Sequence, residues 1–202
     1  MKFINNVNET LRDDMAAEMK KGSKLSIAAA YFSIYAFEAL RKELSNIDEL
    51  RFIFTDPTFI QKENSKKEKR EFYIPKLNRE RGIYGTDFEV KLRNELNQKA
   101  IARECAAWVK NKAIFKSNVG NKDITDKFIL LDDKAYFPVN GFTTVDLGCE
   151  QGNNMGTNIA KVASPMSLTL LEQFEKLWQN NEELQDVTCL LYTSPSPRDG
   201  AT

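Results

Sequence analysis

Histidine is absent from all 202 residues. It is the usual general base at neutral pH and a frequent metal ligand. Its absence excludes Ser-His-Asp and Cys-His hydrolases, histidine-ligated metals and phosphohistidine chemistry within this chain. Cysteine is also scarce: Cys105, Cys149 and Cys189 form no CxxC pair, which disfavours a disulfide framework or a thiolate zinc site. We therefore expect no bound metal and a reducing, cytoplasmic setting.

Long hydrophobic runs are missing as well. No stretch approaches the ~20 apolar residues of a membrane-spanning helix, so no membrane partner is expected. The length and the 42% hydrophobic content fit one soluble globular domain. The net charge is zero, but residues 61–120 carry 15 Lys and Arg against 8 Asp and Glu. A basic middle region indicates an anionic partner.

The hydrophobic pattern predicts an α/β fold with a mixed sheet flanked by helices. A strand, a helix and a second strand follow one another within residues 24–55, which is typical of a βαβ unit with parallel strands. The charged stretch 58–86 is interpreted as an excursion from the core. Strands are predicted near 24–32, 49–55, 113–116, 127–131 and 135–139, and the main helices at 33–44, 87–110 and 164–179.

The C-terminal residues 189–202 differ in style from the rest. Residues 189–199 can be back-translated into a string that resembles the transposon-end adapter of sequencing libraries. We interpret this tail as non-native, assign the domain to residues 1–188 and expect the natural protein to continue beyond it. A Ser/Pro linker is the alternative reading.

One segment carries a chemical motif. Residues 125–132 and 140–143 resemble the HKD signature of the phospholipase D superfamily, His-x-Lys-x4-Asp followed by Gly-Ser-x-Asn-Phe-Thr. Lys127 and Asp132 match the lysine and the aspartate, whereas Thr125 replaces the histidine and Gly141 the asparagine, with Asn140 shifted by one. The alternative interpretation is that Lys127 and Asp132 have no catalytic role and are only the polar ends of a hairpin.

The resemblance implies a phospholipase-D-like fold and a defined division of labour. In that family the histidine attacks phosphorus, the lysine and the asparagine hold the phosphoryl oxygens, and the aspartate orients. Because a threonine cannot replace the histidine, we predict a catalytically silent domain, a pseudoenzyme. A phosphodiesterase or nuclease of the HKD type is the alternative.

A wider resemblance covers roughly residues 1–188. Five segments look like the N-terminal region of bacterial Swi/Snf-type helicases, where a phospholipase-D-like module precedes an ATP-driven core: residues 25–37, 49–57, 72–81, 85–107 and 140–154. It implies an accessory module that contacts DNA, with the helicase core in cis. ATP and Mg²⁺ would belong to that core, and no cofactor is expected here, since neither GxxxxGK[ST] nor a DExx box with a following histidine is present.

The basic residues around the longest predicted helix are the candidate DNA contacts, because charge neutralisation dominates binding to a phosphate backbone. Two alternatives stay open: a solvated helix face with i,i+4 ion pairs, and a module for protein docking or homodimer formation. The candidate nucleic-acid-binding residues are Lys91, Arg93, Lys99, Arg103, Lys110, Lys112, Lys116 and Lys127.

Overall fold

The computed structural model describes residues 1–56, 60–62, 71–73, 95–120, 122–151 and 158–193. The helices are α1 (Leu11–Glu18), α2 (Ile34–Ala39), α3 (Arg41–Leu44), α4 (Glu95–Lys112), α5 (Met166–Trp178) and α6 (Thr188–Thr193). The strands are β1 (Lys2–Ile4), β2 (Lys24–Ala29), β3 (Tyr31–Phe32), β4 (Glu49–Phe54), β5 (Ile60–Lys62), β6 (Glu71–Tyr73), β7 (Ala113–Asn118), β8 (Phe128–Leu131), β9 (Lys134–Phe137), β10 (Gly141–Phe142), β11 (Ile159–Ala163) and β12 (Leu184–Asp186).

A large mixed sheet organises these elements. Its strand order is β1-β11-β9-β8-β2-β4-β7-β12. Strands β2, β4 and β7 run parallel, whereas β8 pairs with β2 in the antiparallel sense. Helices connect the parallel strands, because a parallel pair needs a crossover. The predicted α/β class, a mixed sheet flanked by helices, is confirmed.

Strand alternation places a different core on each face of the sheet. On the first face, Phe32, Phe52, Phe54 and Phe115 are fully buried and packed ring against ring. The Phe32 and Phe115 centroids lie 5.0 Å apart at a steep angle, the edge-to-face arrangement that aromatic rings favour. These contacts fix the central strands to one another and to the helices that cover this face.

Helix α5 covers the second face and is attached there by Arg51 of β4. The Arg51 guanidinium donates to both carboxylate oxygens of Glu175, at 3.1 and 2.6 Å, and to Ser26 Oγ at 3.1 Å. Its Cζ also lies 5.0 Å from the centroid of the Phe174 ring. A planar cation can form such bidentate and stacked contacts together, so Arg51 anchors the helix over the sheet.

The structure corrects several predicted boundaries. The strand expected at 24–32 is divided into β2 and β3, and the helix expected at 33–44 changes direction at Leu40 into α2 and α3. Helix α4 is described from Glu95, so its predicted start at 87 lies outside the described residues, as does most of the charged stretch 58–86. Within that stretch, β5 and β6 form a small antiparallel pair. Strands β1, β11 and β12 were not predicted.

The beginning of the C-terminal tail belongs to the described fold. Helix α6 packs against α4, and Leu191 is only 8% exposed. The helix thus packs onto the fold through the buried side chain of Leu191, and the domain boundary at residue 188 stays a prediction. The adapter origin of the tail stays a prediction.

Asp14 forms a buried charge cluster with residues of β1, β11 and β9, the strands at one side of the sheet. It is 6% exposed, accepts a hydrogen bond from Tyr136 Oη at 2.8 Å, and pairs with Lys161 Nζ at 2.6 Å and Lys2 Nζ at 2.9 Å. Burial by itself raises the pKa of Asp14, but the hydrogen bonds from the two lysines and Tyr136 outweigh it and lower the pKa below its ordinary 3.8.

This cluster predicts a specific acid sensitivity. A carboxyl whose pKa is lowered by folding stabilises the protein above its unfolded pKa and loses that contribution as the pH falls through the folded value. Asp14→Asn should lower the free energy of unfolding by about 1–3 kcal/mol at neutral pH, since the lysines lose a charged partner. Urea denaturation from pH 7 to pH 3 should show the two proteins converging below about pH 4. If the difference between the two free energies of unfolding stayed constant from pH 7 to pH 3, the role given to the charge of Asp14 would be contradicted.

Candidate functional site

Polar side chains from several strands meet at one edge of the sheet. Because β2, β4 and β7 are parallel, their carboxyl ends lie at this edge, and β8 begins there since it pairs with β2 in the opposite direction. Asp56 follows β4, Asn118 ends β7 and Lys127 immediately precedes β8. Carboxyl ends of parallel strands are where open α/β sheets usually bind ligands.

Backbone hydrogen bonds hold the next segment across the same edge. Val139 N donates to Lys127 O at 3.1 Å, and Ala30 N donates to Asn140 O at 2.9 Å. Gly141 then pairs with Tyr31 in the short β3–β10 ladder. A Cβ atom at Gly141 would lie 3.0 Å from Asp146 Oδ2 and 3.2 Å from Tyr31 Cβ. A side chain at the position that corresponds to the motif asparagine would therefore require these neighbours to shift by a few tenths of an ångström.

An open groove of about 230 Å³ lies at this edge. It brings together three of the predicted motif residues, Thr125, Lys127 and Asn140. Its walls combine these polar groups with an acidic residue and with apolar side chains from β8, the end of β9 and α5. The remaining lining residues are Asp126, Phe128, Phe137, Pro138 and Leu170.

Among the described residues, Lys127 is the only lysine or arginine that lines this groove. Its side chain is 24% exposed, and Nζ lies 3.5 Å from Oδ1 of Asp56, whose side chain is 51% exposed. A pair this accessible to water contributes at most about 1 kcal/mol. The Asp56 carboxylate thus occupies an anion position beside Lys127 that another anion can take at small cost.

Asp132 lies at the other end of β8, roughly 16 Å from Lys127 at ~3.3 Å per residue. Its carboxylate accepts hydrogen bonds from Ser23 Oγ at 2.8 Å and from Lys24 N at 2.9 Å. Its φ of 52° is in the left-handed region that aspartate tolerates. Asp132 therefore ties the β8–β9 turn to the start of β2, and the structure does not bring it to the groove.

The predicted basic residues divide into two groups. Lys112 Nζ donates to the carbonyls of Ser45 and Ile47, each at 2.7 Å, so this lysine joins α4 to the segment before β4. Lys116 Nζ donates to the Trp178 carbonyl at 2.7 Å and lies 4.6 Å from the centroid of its indole. Both ammonium groups already have protein partners.

Arg103 and Lys110 are exposed on α4. Their spacing of seven residues places them on the same side of the helix. Lys99 shares that side by its spacing, although its side chain lies outside the described residues, and Lys91 and Arg93 lie outside them altogether. The described part of this helix thus offers a narrow cationic stripe, Arg103 and Lys110.

Sequence reasoning missed several residues that shape this edge. Asn118 is 2% exposed, and its amide donates to the carbonyls of Thr55 at 3.1 Å and Lys122 at 2.9 Å. It holds the loop after β7 against the end of β4. Asp56, which follows β4 and pairs with Lys127, was not among the predicted site residues either. The rule that parallel strands end at one edge could have grouped both residues with Lys127.

Two further findings concern only the described residues. They contain no cluster of three or more cysteine, aspartate and glutamate side chains arranged to hold a metal ion. None of their helices combines the length and the apolar character needed to cross a bilayer.

The turn position of Asp132 can be tested by substitution. Asp132→Ala removes two hydrogen bonds and places alanine at a positive φ, so we expect a loss of about 2 kcal/mol in the free energy of unfolding. Asp132→Asn keeps an acceptor oxygen and tolerates the same φ, so its loss should be smaller. Chemical denaturation measures both variants. An alanine variant as stable as the parent would contradict the conclusion that Asp132 ties the β8–β9 turn to β2.

Comparison with known proteins adds no family to this picture. No protein-family model matches the chain, and a search of curated proteins finds no match. The reading of this edge therefore depends on its geometry and on the motif resemblance in the sequence.

Proposed function

We propose that this chain is an accessory module of a bacterial ATP-dependent DNA helicase that contacts nucleic acid and does not itself cleave it. The observation that carries the proposal is the groove at the strand-end edge. It combines Lys127, a cation suited to hold a phosphodiester, and the amide of Asn140 with Thr125, which stands where the resembled family has its nucleophile.

The phosphate contact would be made by Lys127. Its ammonium can form a charge-assisted hydrogen bond to a phosphate oxygen in exchange for the exposed carboxylate of Asp56. Arg103 and Lys110 lie on α4, which covers the face of the sheet opposite to α5, so the α4 stripe would contact a separate part of the nucleic acid. Lys112 and Lys116 contribute less, because their ammonium groups are held by backbone carbonyls.

The absence of cleavage follows from the chemistry at residue 125. The nucleophile of the resembled family is an imidazole, and the chain contains no histidine. A threonine hydroxyl is a weak nucleophile at neutral pH unless a base activates it. Hydrolysis of an activated phosphodiester that disappears in Lys127→Ala would overturn this part of the proposal and favour the phosphodiesterase reading.

The helicase context is supported by the segments that look like the N-terminal region of Swi/Snf-type helicases. In that context the ATP-driven core supplies the motor, and this module helps to place the DNA. Homodimer formation is a separate outcome, which sedimentation of the chain with and without DNA would reveal.

The first binding prediction concerns salt and charge. Binding of a fluorescent DNA strand should weaken steeply with salt, and Lys127→Ala should reduce the slope of log affinity against log salt by about 1, as expected for one lost phosphate contact. Arg103→Glu and Lys110→Glu should also weaken binding. Fluorescence anisotropy over a salt series measures these effects.

The matched control for this experiment is Lys21→Glu. Lys21 is exposed and precedes β2, so it lies at the opposite edge of the sheet. The substitution Lys21→Glu should therefore leave the affinity for DNA nearly unchanged. If the affinity for DNA changed neither with salt nor in Arg103→Glu, the nucleic-acid proposal would be wrong, and protein docking would be favoured.

The second binding prediction concerns Asp56. Asp56→Asn removes the carboxylate that competes for Lys127, so DNA affinity at low salt should rise about 3- to 5-fold, equivalent to the ~1 kcal/mol of an exposed ion pair. Asp48→Asn is the control, because Asp48 is exposed and precedes the same strand at its other end. An equal rise in both variants would mean that only the net charge matters.

A further inference from the structure

We propose that the groove holds one unpaired base of a single-stranded nucleic acid against Phe137 and Pro138. This inference rests on the proposed function and specifies its ligand. The polar lining offers a place for the adjoining phosphate at Lys127 and for the polar edge of the base at Asn140.

The size of the groove favours a single ring. Its volume of about 230 Å³ is below the ~300–1,000 Å³ of sites that enclose a whole small molecule. A ligand held there must therefore be a small part of something larger. One base of a polymer meets this condition, since the rest of the strand stays outside and binds elsewhere.

The walls favour a flat, apolar surface. Phe137 and Leu170 are half-buried, Pro138 is exposed, and all three line the groove. The other buried phenylalanines pair with one another, but among the described residues no ring stacks on Phe137. An aromatic ring at the wall of a groove is the surface on which nucleic-acid bases stack without sequence preference.

The charges disfavour a phosphate deep inside. Lys127 is accompanied by two carboxylates, Asp56 at 3.5 Å and Asp126 in the groove lining. Asp126 Oδ2 accepts a hydrogen bond from Gln173 Nε2 at 2.7 Å, which holds this negative charge at the wall. A phosphodiester, which carries one negative charge, would meet two carboxylates and one ammonium group if it were enclosed here. A neutral base avoids this repulsion, while its phosphate remains near Lys127 in solvent.

This geometry requires a single strand. In a duplex each base is paired and stacked on its neighbours, so a base can reach Phe137 only after it leaves the stack. A single strand bears a much smaller cost. The groove therefore predicts a preference for single strands that the cationic stripe on α4, which contacts only phosphates, would not produce.

The test compares three probes of equal length with the full chain. They are a short oligothymidylate, a strand of abasic sites with the same phosphates, and a duplex. We expect oligothymidylate to bind about 10-fold more tightly than either of the others, as one stacked base contributes. Phe137→Leu should abolish the advantage over the abasic strand and leave abasic binding unchanged.

Additional variants protect the test against misfolding. Phe137→Trp keeps an aromatic surface, so it should retain the preference, and its fluorescence should be quenched by oligothymidylate. Asn140→Ala changes an exposed side chain and should reduce the preference partly, whereas Met166→Ala, an exposed apolar residue outside the groove lining, should not.

The failures of the two proposals are distinguishable. Equal, salt-sensitive binding of oligothymidylate and the abasic strand would overturn the base site and leave the nucleic-acid function standing. No binding of any probe at low salt would overturn both. A preference for oligothymidylate that survives Phe137→Leu would also overturn the base site.

Discussion

The antiparallel pairing of β8 with β2 is the constraint on which the candidate site depends. Strand β2 also pairs in parallel with β4, and β4 with β7, so one edge collects three strand ends and one strand beginning. Reversing the direction of β8 would move Lys127 to the other edge, beside Asp132's present position. The backbone ladder, rather than any side-chain contact, therefore brings Lys127 next to Asp56.

The charged groups of the described residues differ in how firmly their partners hold them. Asp14 and Asp132 are each fixed by two or more hydrogen bonds or ion pairs, and these contacts tie separate elements together. The pair of Lys127 and Asp56 has a longer separation of 3.5 Å and greater exposure. Tightly satisfied charges contribute to stability and are costly to disturb, whereas a loose, solvated pair can exchange partners. An exchangeable partner at Lys127 is what the proposed phosphate contact requires.

The sequence predicted the elements with strong local signals and missed those defined by distant partners. Apolar runs such as 49–55 have few alternatives to a buried strand, so β4 was predicted almost to the residue. Strands β1 and β12 are three residues long and are the outermost strands of the sheet. Their extended conformation depends on hydrogen bonds to strands that are distant in the sequence. The motif spacing predicts Thr125, Lys127 and Asn140 as one set, and these three residues line the same groove. It misplaced Asp132, because five residues along an extended strand span its whole length.

Residues outside the motif determine what the groove can accept. The motif describes how a phosphodiester is held and says nothing of the ring beside it, which comes from the end of β9, or of Leu170, which comes from a helix some 40 residues further along the chain. Phe137 is brought close to Lys127 because β8 and β9 are joined by a tight turn and pair from Leu131–Lys134 to Ile129–Tyr136, so the two residues follow and precede the ends of the same ladder. The hairpin that carries Lys127 thereby presents an aromatic wall, and the two carboxylates beside the lysine limit how much negative charge can enter. The proposed base site requires this combination of one cation, an aromatic ring and little room for further negative charge.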